Sequence, residues 1–176
     1  CLRLRILGRQ ARLHGFDQLP FDLPSRKSSP SSRNNMLDVK QRIRAVLSAA
    51  GANEVLTYSF VHGNLMQKTG TDPEKWAYHL RNALSPDLQY YRTALMPSLL
   101  DKVRGNIRAD MVRSDGNEFA IYEIGKVHVK GHETEEKVPK EMERVALVFA
   151  ADDKTAARKY DGSPYYQARL YLNEVT

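Results

Sequence analysis

Glu123 is the acid of this chain best placed to do chemistry. It lies inside the run FAIYEIGKVHV, residues 119–129. Strand alternation puts it on one face with Phe119, Ile121, Val127 and Val129. A carboxylate among apolar side chains either has a raised pKa, as a general base needs, or holds a cation. A buried ion pair with Arg92 or Arg81 is the preferred reading. Arg92 and Thr93 stand in NALSPDLQYYRTALMPSLLDKVRGNI, Asn82–Ile107, on what reads as an exposed loop. His128 and His132 are four apart, a spacing that suits a helix face, but they fall on and just after a predicted strand. No cysteine or second histidine pair supports them as metal ligands. The chain has no G-x-G-x-x-G, no Walker A sequence and no nucleophile elbow, and its single cysteine is Cys1. No catalytic residue, cofactor-binding residue or metal ligand is therefore assigned. Tyrosine and arginine interleave at Tyr90, Tyr91 and Arg92 and again from Tyr160 to Tyr171, which would suit stacking on bases. Helix packing explains the second group more simply, because Tyr165, Ala168, Leu172 and Val175 form a stripe.

These residues need elements to hold them. Ser85-Pro86-Asp87 is a turn or helix-entry signal, and Pro97 suits the first turn of a helix that runs to about Asp110. On that helix Leu99, Leu100, Val103 and Ile107 share a face. An earlier helix, Met36–Gly51, is capped by Asn35 with Asp38 three residues on, and Gly51 ends it. Its apolar stripe is Met36, Val39, Ile43, Val46, Leu47 and Ala50. The β-branched and aromatic run Glu54–Val61 predicts a strand. Further strands are expected at Trp76–Leu84, Glu118–Lys130 and Arg144–Ala150. A turn is expected at Ser114–Asn117, a loop over Thr155–Pro164 and a last helix over Tyr165–Val175. Helices segregated from an antiparallel sheet argue an α+β fold.

Residues 1–24 read as the tail of one small domain and 25–33, SRKSSPSSR, as a linker. Residues 34–176 then form the main body. The net charge is +6, compatible with a polyanion such as RNA but equally with a solvated basic surface. No apolar run approaches the roughly 18–20 residues that span a bilayer, so no membrane partner is expected. One cysteine allows no intrachain disulfide, and a reducing cytoplasm is the expected setting. The chain does not begin with Met, which suggests part of a longer polypeptide.

Four segments, in order, resemble the β subunit of bacterial phenylalanyl-tRNA synthetase. HGFDQLPFDLP is similar to the family's "(Y/H)G(Y/F)D.(L/I)P..LP" at the end of a winged-helix-like domain. LSAAGANEVLTYSFV is similar to "L...GF.EV.TYSFV". NALSPDLQYYRTALMPSLLDKVRGNIR is similar to "NPLS.D...LRTSLLPGLL....NN..R". FAIYEIGKVHVKG, with the later ERVALVFA, is similar to "..LFEIG.VF" and "E...LAGL..G".

The resemblance implies an (αβ)₂ class II enzyme that joins phenylalanine to its tRNA with ATP and Mg²⁺. Partners would be the α subunit, a second αβ pair and tRNA. This region would be the first part of a class II catalytic-like core that has lost catalysis and serves assembly. Met36, Val39, Ile43, Val46 and Leu47 would meet a partner subunit, while Arg92, Thr93 and Glu123 would be structural. The motif 1 proline has no equivalent near Tyr58–Phe60, and Val129 stands near the place of the motif 2 arginine. Motif 3 and the editing domain would lie outside this chain. Gly8 and Arg9 stand where a Glu pair that binds Mg²⁺ is expected. The rival reading is a stand-alone basic RNA-binding module.

Overall fold

A computed structural model describes residues 9–10, 12–18, 22, 25–109 and 118–175. The expected turn at Ser114–Asn117, Gly8, Cys1 and residues 19–21, 23 and 24 of HGFDQLPFDLP lie outside them. The chain divides into two compact units, Cys1–Arg33 and Asn34–Thr176. In the first, a 3₁₀ turn covers Phe16–Gln18. Residues 25–33 are exposed and without regular structure.

The second unit begins with helix α1, Asn35–Ala49. Its cap is Asn34, one residue before the expected Asn35. Asn34 is extended and its side chain accepts from the Met36 N–H. Asn35 already has helical backbone, so only its neighbour can serve. Gly51 follows at φ +93°, and the Ala52 N–H closes back onto the Leu47 carbonyl, a left-handed helix stop.

The expected strand Glu54–Val61 is broken in two. Strand β1, Asn53–Glu54, joins one sheet and β2, Phe60–Val61, another. Helices α2, Gly63–Lys68, and α3, Pro73–Trp76, come next. The expected strand Trp76–Leu84 is not formed. Asp72 caps α3 through the Glu74 N–H and Pro73 opens it, so helix-entry chemistry overrides the aromatic run. Beyond it a lone bridge links His79 to Tyr90. Strand β3, Tyr90–Tyr91, pairs antiparallel with β2, and helix α4 spans Met96–Ala109. Strands β4, Glu118–Val127, and β5, Met142–Ala151, form an antiparallel ladder of full strand length, with β1 added in parallel on the other edge of β4.

Helix α5, Asp153–Tyr160, replaces the expected loop. Asp152 caps it through the Thr155 N–H at 2.6 Å, while Arg158 and Lys159 sit at its negative end. That charge-rich composition hid the helix from hydrophobic periodicity. Helix α6, Tyr165–Val175, is as expected, but its inner face is turned. Tyr171 and Val175 pack on the core, while Tyr165 and Leu172 are exposed.

The β1-β4-β5 sheet is covered on both faces, which makes the unit α+β. Ala120, Tyr122 and Ile124 meet Leu47 and Ile43 of α1 with Tyr171 and Val175 of α6. Ile121, Phe119 and Val148 meet Leu99 and Val103 of α4. This explains why five successive residues of β4, Ala120–Ile124, are all buried.

A three-way contact fastens α5 to β4. Lys159 Nζ and the Tyr160 hydroxyl donate to the two Glu118 oxygens, each at 2.8 Å. Burial opposes ionisation of Glu118, but those two hydrogen bonds and the Lys159 and Arg158 charges outweigh it and hold its carboxyl below the usual range. Burial, then the bond to Glu118, pushes the Tyr160 phenol up to about 12. The signs differ. The lowered Glu118 contributes stability that is complete above the unfolded carboxylate value and lost as pH falls. The raised Tyr160 contributes stability that is complete below about 10 and lost as pH rises towards 12. Urea midpoints measured across pH are therefore expected to fall off less steeply in acid for Glu118→Gln and less steeply in alkali for Tyr160→Phe.

Candidate functional site

Glu123 and Arg92 come together in the structure. Glu123 is fully buried on β4, and Arg92, just after β3, is 3% exposed. The loop that looked exposed in sequence is closed in at this residue. Arg92 Nη1 donates to Glu123 Oε1 at 2.7 Å and to Thr57 Oγ1 at 2.8 Å. Thr57 in turn donates to Glu123 Oε2 at 2.7 Å. Arg92 Nε donates to the Lys126 carbonyl at 3.0 Å. Arg81 is exposed, so the choice between two cations is settled in favour of Arg92. Thr93 is half-buried and does not join the network, whereas Thr57 does. Sequence reading missed Thr57. Its place opposite Glu123 is set by the parallel register of β1 on β4, which pairs Glu54 with Tyr122 and carries the chain past Glu123.

The same three residues tie together separate pieces of backbone. The Arg92 N–H donates to the Ser59 carbonyl, and the His128 N–H donates to the Arg92 carbonyl, each at 3.0 Å. The pair thus joins the 55–59 segment, the end of β3 and the end of β4. Both carboxylate oxygens and the guanidinium are engaged within the protein. A base must face its substrate, and this one faces only Arg92 and Thr57. The geometry makes a structural pin.

Gly125 makes room for the pin. A Cβ there would stand 2.5 Å from Arg92 Nη2, 3.1 Å from Glu123 Oε1 and 3.3 Å from a Leu95 methyl. The guanidinium cannot swing aside without leaving its buried partner. Gly125→Ala is expected to lower unfolding stability by about 1–3 kcal/mol through overpacking, read from the urea midpoint.

The five α1 residues expected to meet a partner subunit separate. Leu47 is 2% exposed and Ile43 packs beside it, so both serve this chain's own core. Val46 is half-buried beside α6, while Met36 and Val39 are exposed at 51% and 47%. An open cleft of about 820 Å³ lies next to the pin, with Thr57, Tyr58, Leu65, Ser98 and Lys102 among its walls. Leu56 and Tyr58 project outwards beside it. Among the described residues no three His, Cys, Asp or Glu side chains converge to hold a metal ion. Nor is any described helix long and apolar enough to cross a membrane.

Two solved pyrrolysyl-tRNA synthetase structures from Desulfitobacterium hafniense share this fold. They align over 81% of this chain and 45% and 47% of theirs, with TM-scores of 0.50 and 0.51 and 16% and 17% identity. Over that part, the chain thus has the fold of a class II aminoacyl-tRNA synthetase core, in partial form. The model of the phenylalanyl-tRNA synthetase β chain CLM domain matches residues 19–175, and the chain belongs to that family. It is 31% identical over 142 residues to the phenylalanine–tRNA ligase β subunit of Syntrophus aciditrophicus. It is 33% identical over 147 residues to that of Symbiobacterium thermophilum. Those matches cover 79% and 81% of this chain but only 17% and 16% of the relatives.

Proposed function

We propose that this chain is the scaffold part of a phenylalanine–tRNA ligase β subunit, acting in the ATP-dependent attachment of phenylalanine to tRNA. It supports assembly with an α subunit and, in the whole enzyme, with a second αβ pair. The observation that carries the reading is the closed Arg92–Glu123–Thr57 pin in a chain of this family. The acid and the cation that a synthetase-like sheet could turn on a substrate are bound to each other, which suits a scaffold. On this reading ATP and Mg²⁺ belong to the whole enzyme, and no site for either is assigned to this chain. Met36 and Val39 are the part of the α1 stripe left for a partner subunit.

The test is co-expression of the intact β subunit with its α subunit. Copurification and charging of tRNA with phenylalanine are expected. The double variant Met36→Asp/Val39→Asp is expected to keep its circular dichroism spectrum and lose the α subunit. Retention of the α subunit by that variant would remove the assembly role from this face. The rival reading, an RNA-binding module, draws on the exposed Tyr165–Tyr166 pair next to Arg169. It requires RNA binding by the β subunit alone that weakens steeply with salt.

A further inference from the structure

Three buried side-chain atoms have no hydrogen-bond partner among the described residues: Glu143 Oε2, Thr155 Oγ1 and His128 Nδ1. The other oxygen of Glu143 holds Lys40, and Thr155 is already fastened through its backbone at the start of α5. His128 is different in kind, because it can change charge near neutral pH. Its side chain is 8% exposed and its ring lies 4.4 Å from that of Tyr91, tilted by 51°.

His128 stands where β4 passes into the loop 129–141. Together with Tyr91, Thr134, Val138 and Glu141 it lines an open cleft of about 490 Å³. The loop is closed by its own bonds, Lys140 N–H to the His132 carbonyl and Thr134 N–H to the Val138 carbonyl. Its near end is fastened by Lys130, whose backbone N–H donates to the Trp76 carbonyl and whose Nζ donates to the Glu74 carbonyl. The Tyr78 hydroxyl adds a contact to the His132 carbonyl.

We propose that His128 is a proton-operated latch: neutral, it seats the loop 129–141 against Tyr91, and protonated, it leaves its slot and frees the loop. An imidazolium there would bury a charged N–H without an acceptor, which costs far more than the Tyr91 face returns by attracting a cation. The charged groups around it are Lys126 from β4, Arg92 beyond β3, and Glu136, Lys140 and Glu141 from the loop. Arg92 is held by Glu123, and Glu141 pairs with Lys126. Burial sets His128 below its ordinary 6.5. Glu141 opposes this, and Lys126 and Arg92 reinforce it. A lowered pKa in the closed form means that the closed form is fully favoured above about 6.5 and is lost as pH falls. Opening then grows by up to about tenfold per pH unit until the closed-state value is passed.

Hydrogen exchange of the intact subunit, read by mass spectrometry at pH 7.5 and 5.5 and corrected for intrinsic rates, tests the latch. Protection of the loop amides 129–141 is expected to fall, by up to about tenfold, at the lower pH, while that of Ala120–Ile124 stays unchanged. Exchange of the His128 ring C–H should place its titration below 6.5. His128→Phe, or His128→Gln where the phenyl ring does not seat, is expected to remove the pH effect, and His132→Gln to leave it. Titration of His128 at or above its ordinary value would overturn the proposal. So would a loop change of less than about twofold, an equal change in both His128 variants, or an equal loss of protection along β4.

Discussion

Replacing Glu123 by leucine is expected to cost about 3–5 kcal/mol of unfolding stability, because Arg92 is left charged, buried and without its partner. The environment allows little relief. Arg92 is 3% exposed, and its guanidinium is hemmed in by Thr57, the Lys126 carbonyl and the narrow space above Gly125. Arg92→Leu strands Glu123 in the same way and is expected to cost a similar amount. The double variant Arg92→Leu/Glu123→Leu removes both charges and fills the space with apolar volume, so it should lose clearly less than either single variant. Urea unfolding of the four proteins checks this. If the two single losses simply add in the double variant, the pair is not the coupled pin described.

Leu47→Ala is expected to lower stability by about 2–5 kcal/mol, whereas Met36→Ala and Val39→Ala should each stay within about 0.5 kcal/mol. All three lie on the stripe that periodicity assigned to one apolar face of α1. Leu47 is enclosed by Ala52, Ala120, Tyr122 and Ile124, so truncating it leaves a cavity under the sheet. Met36 and Val39 lie near the start of the helix, where the chain's own core does not reach them. If the proposed assembly role holds, the order is expected to reverse in the whole enzyme. The Met36 and Val39 variants should weaken copurification with the α subunit more than they weaken the fold. Thermal unfolding of the chain alone, set beside pull-down of the α subunit, separates the two effects.

Several elements were legible from local residue order. Helix α1 announced itself by an apolar stripe and Gly51. Strand β4 falls within the strand expected at Glu118–Lys130, and β5 covers the one expected at Arg144–Ala150. Asp152 and Asp72 cap helices that were not expected, because the helix after Asp152 is rich in charge and poor in apolar residues and the one after Asp72 is only four residues long. The fold class followed from the order of these elements, and the family from four motifs in sequence.

By itself, then, the sequence determined that this is an α+β chain of the phenylalanyl-tRNA synthetase β family, with an acid on an apolar strand face and a cation waiting upstream. Only the tertiary structure decided which cation. Arg92 and Glu123 are 31 residues apart, and Thr57 is 66 residues from Glu123. No local period reports contacts of that span. They exist because β1 lies parallel beside β4 and brings Thr57 over the acid, while the Arg92 N–H bonds to Ser59 and turns the arginine inwards. The same packing divided the α1 stripe between the chain's own core and an exposed face. Periodicity gives a side chain its direction, but which surface receives it depends on what the rest of the chain places there.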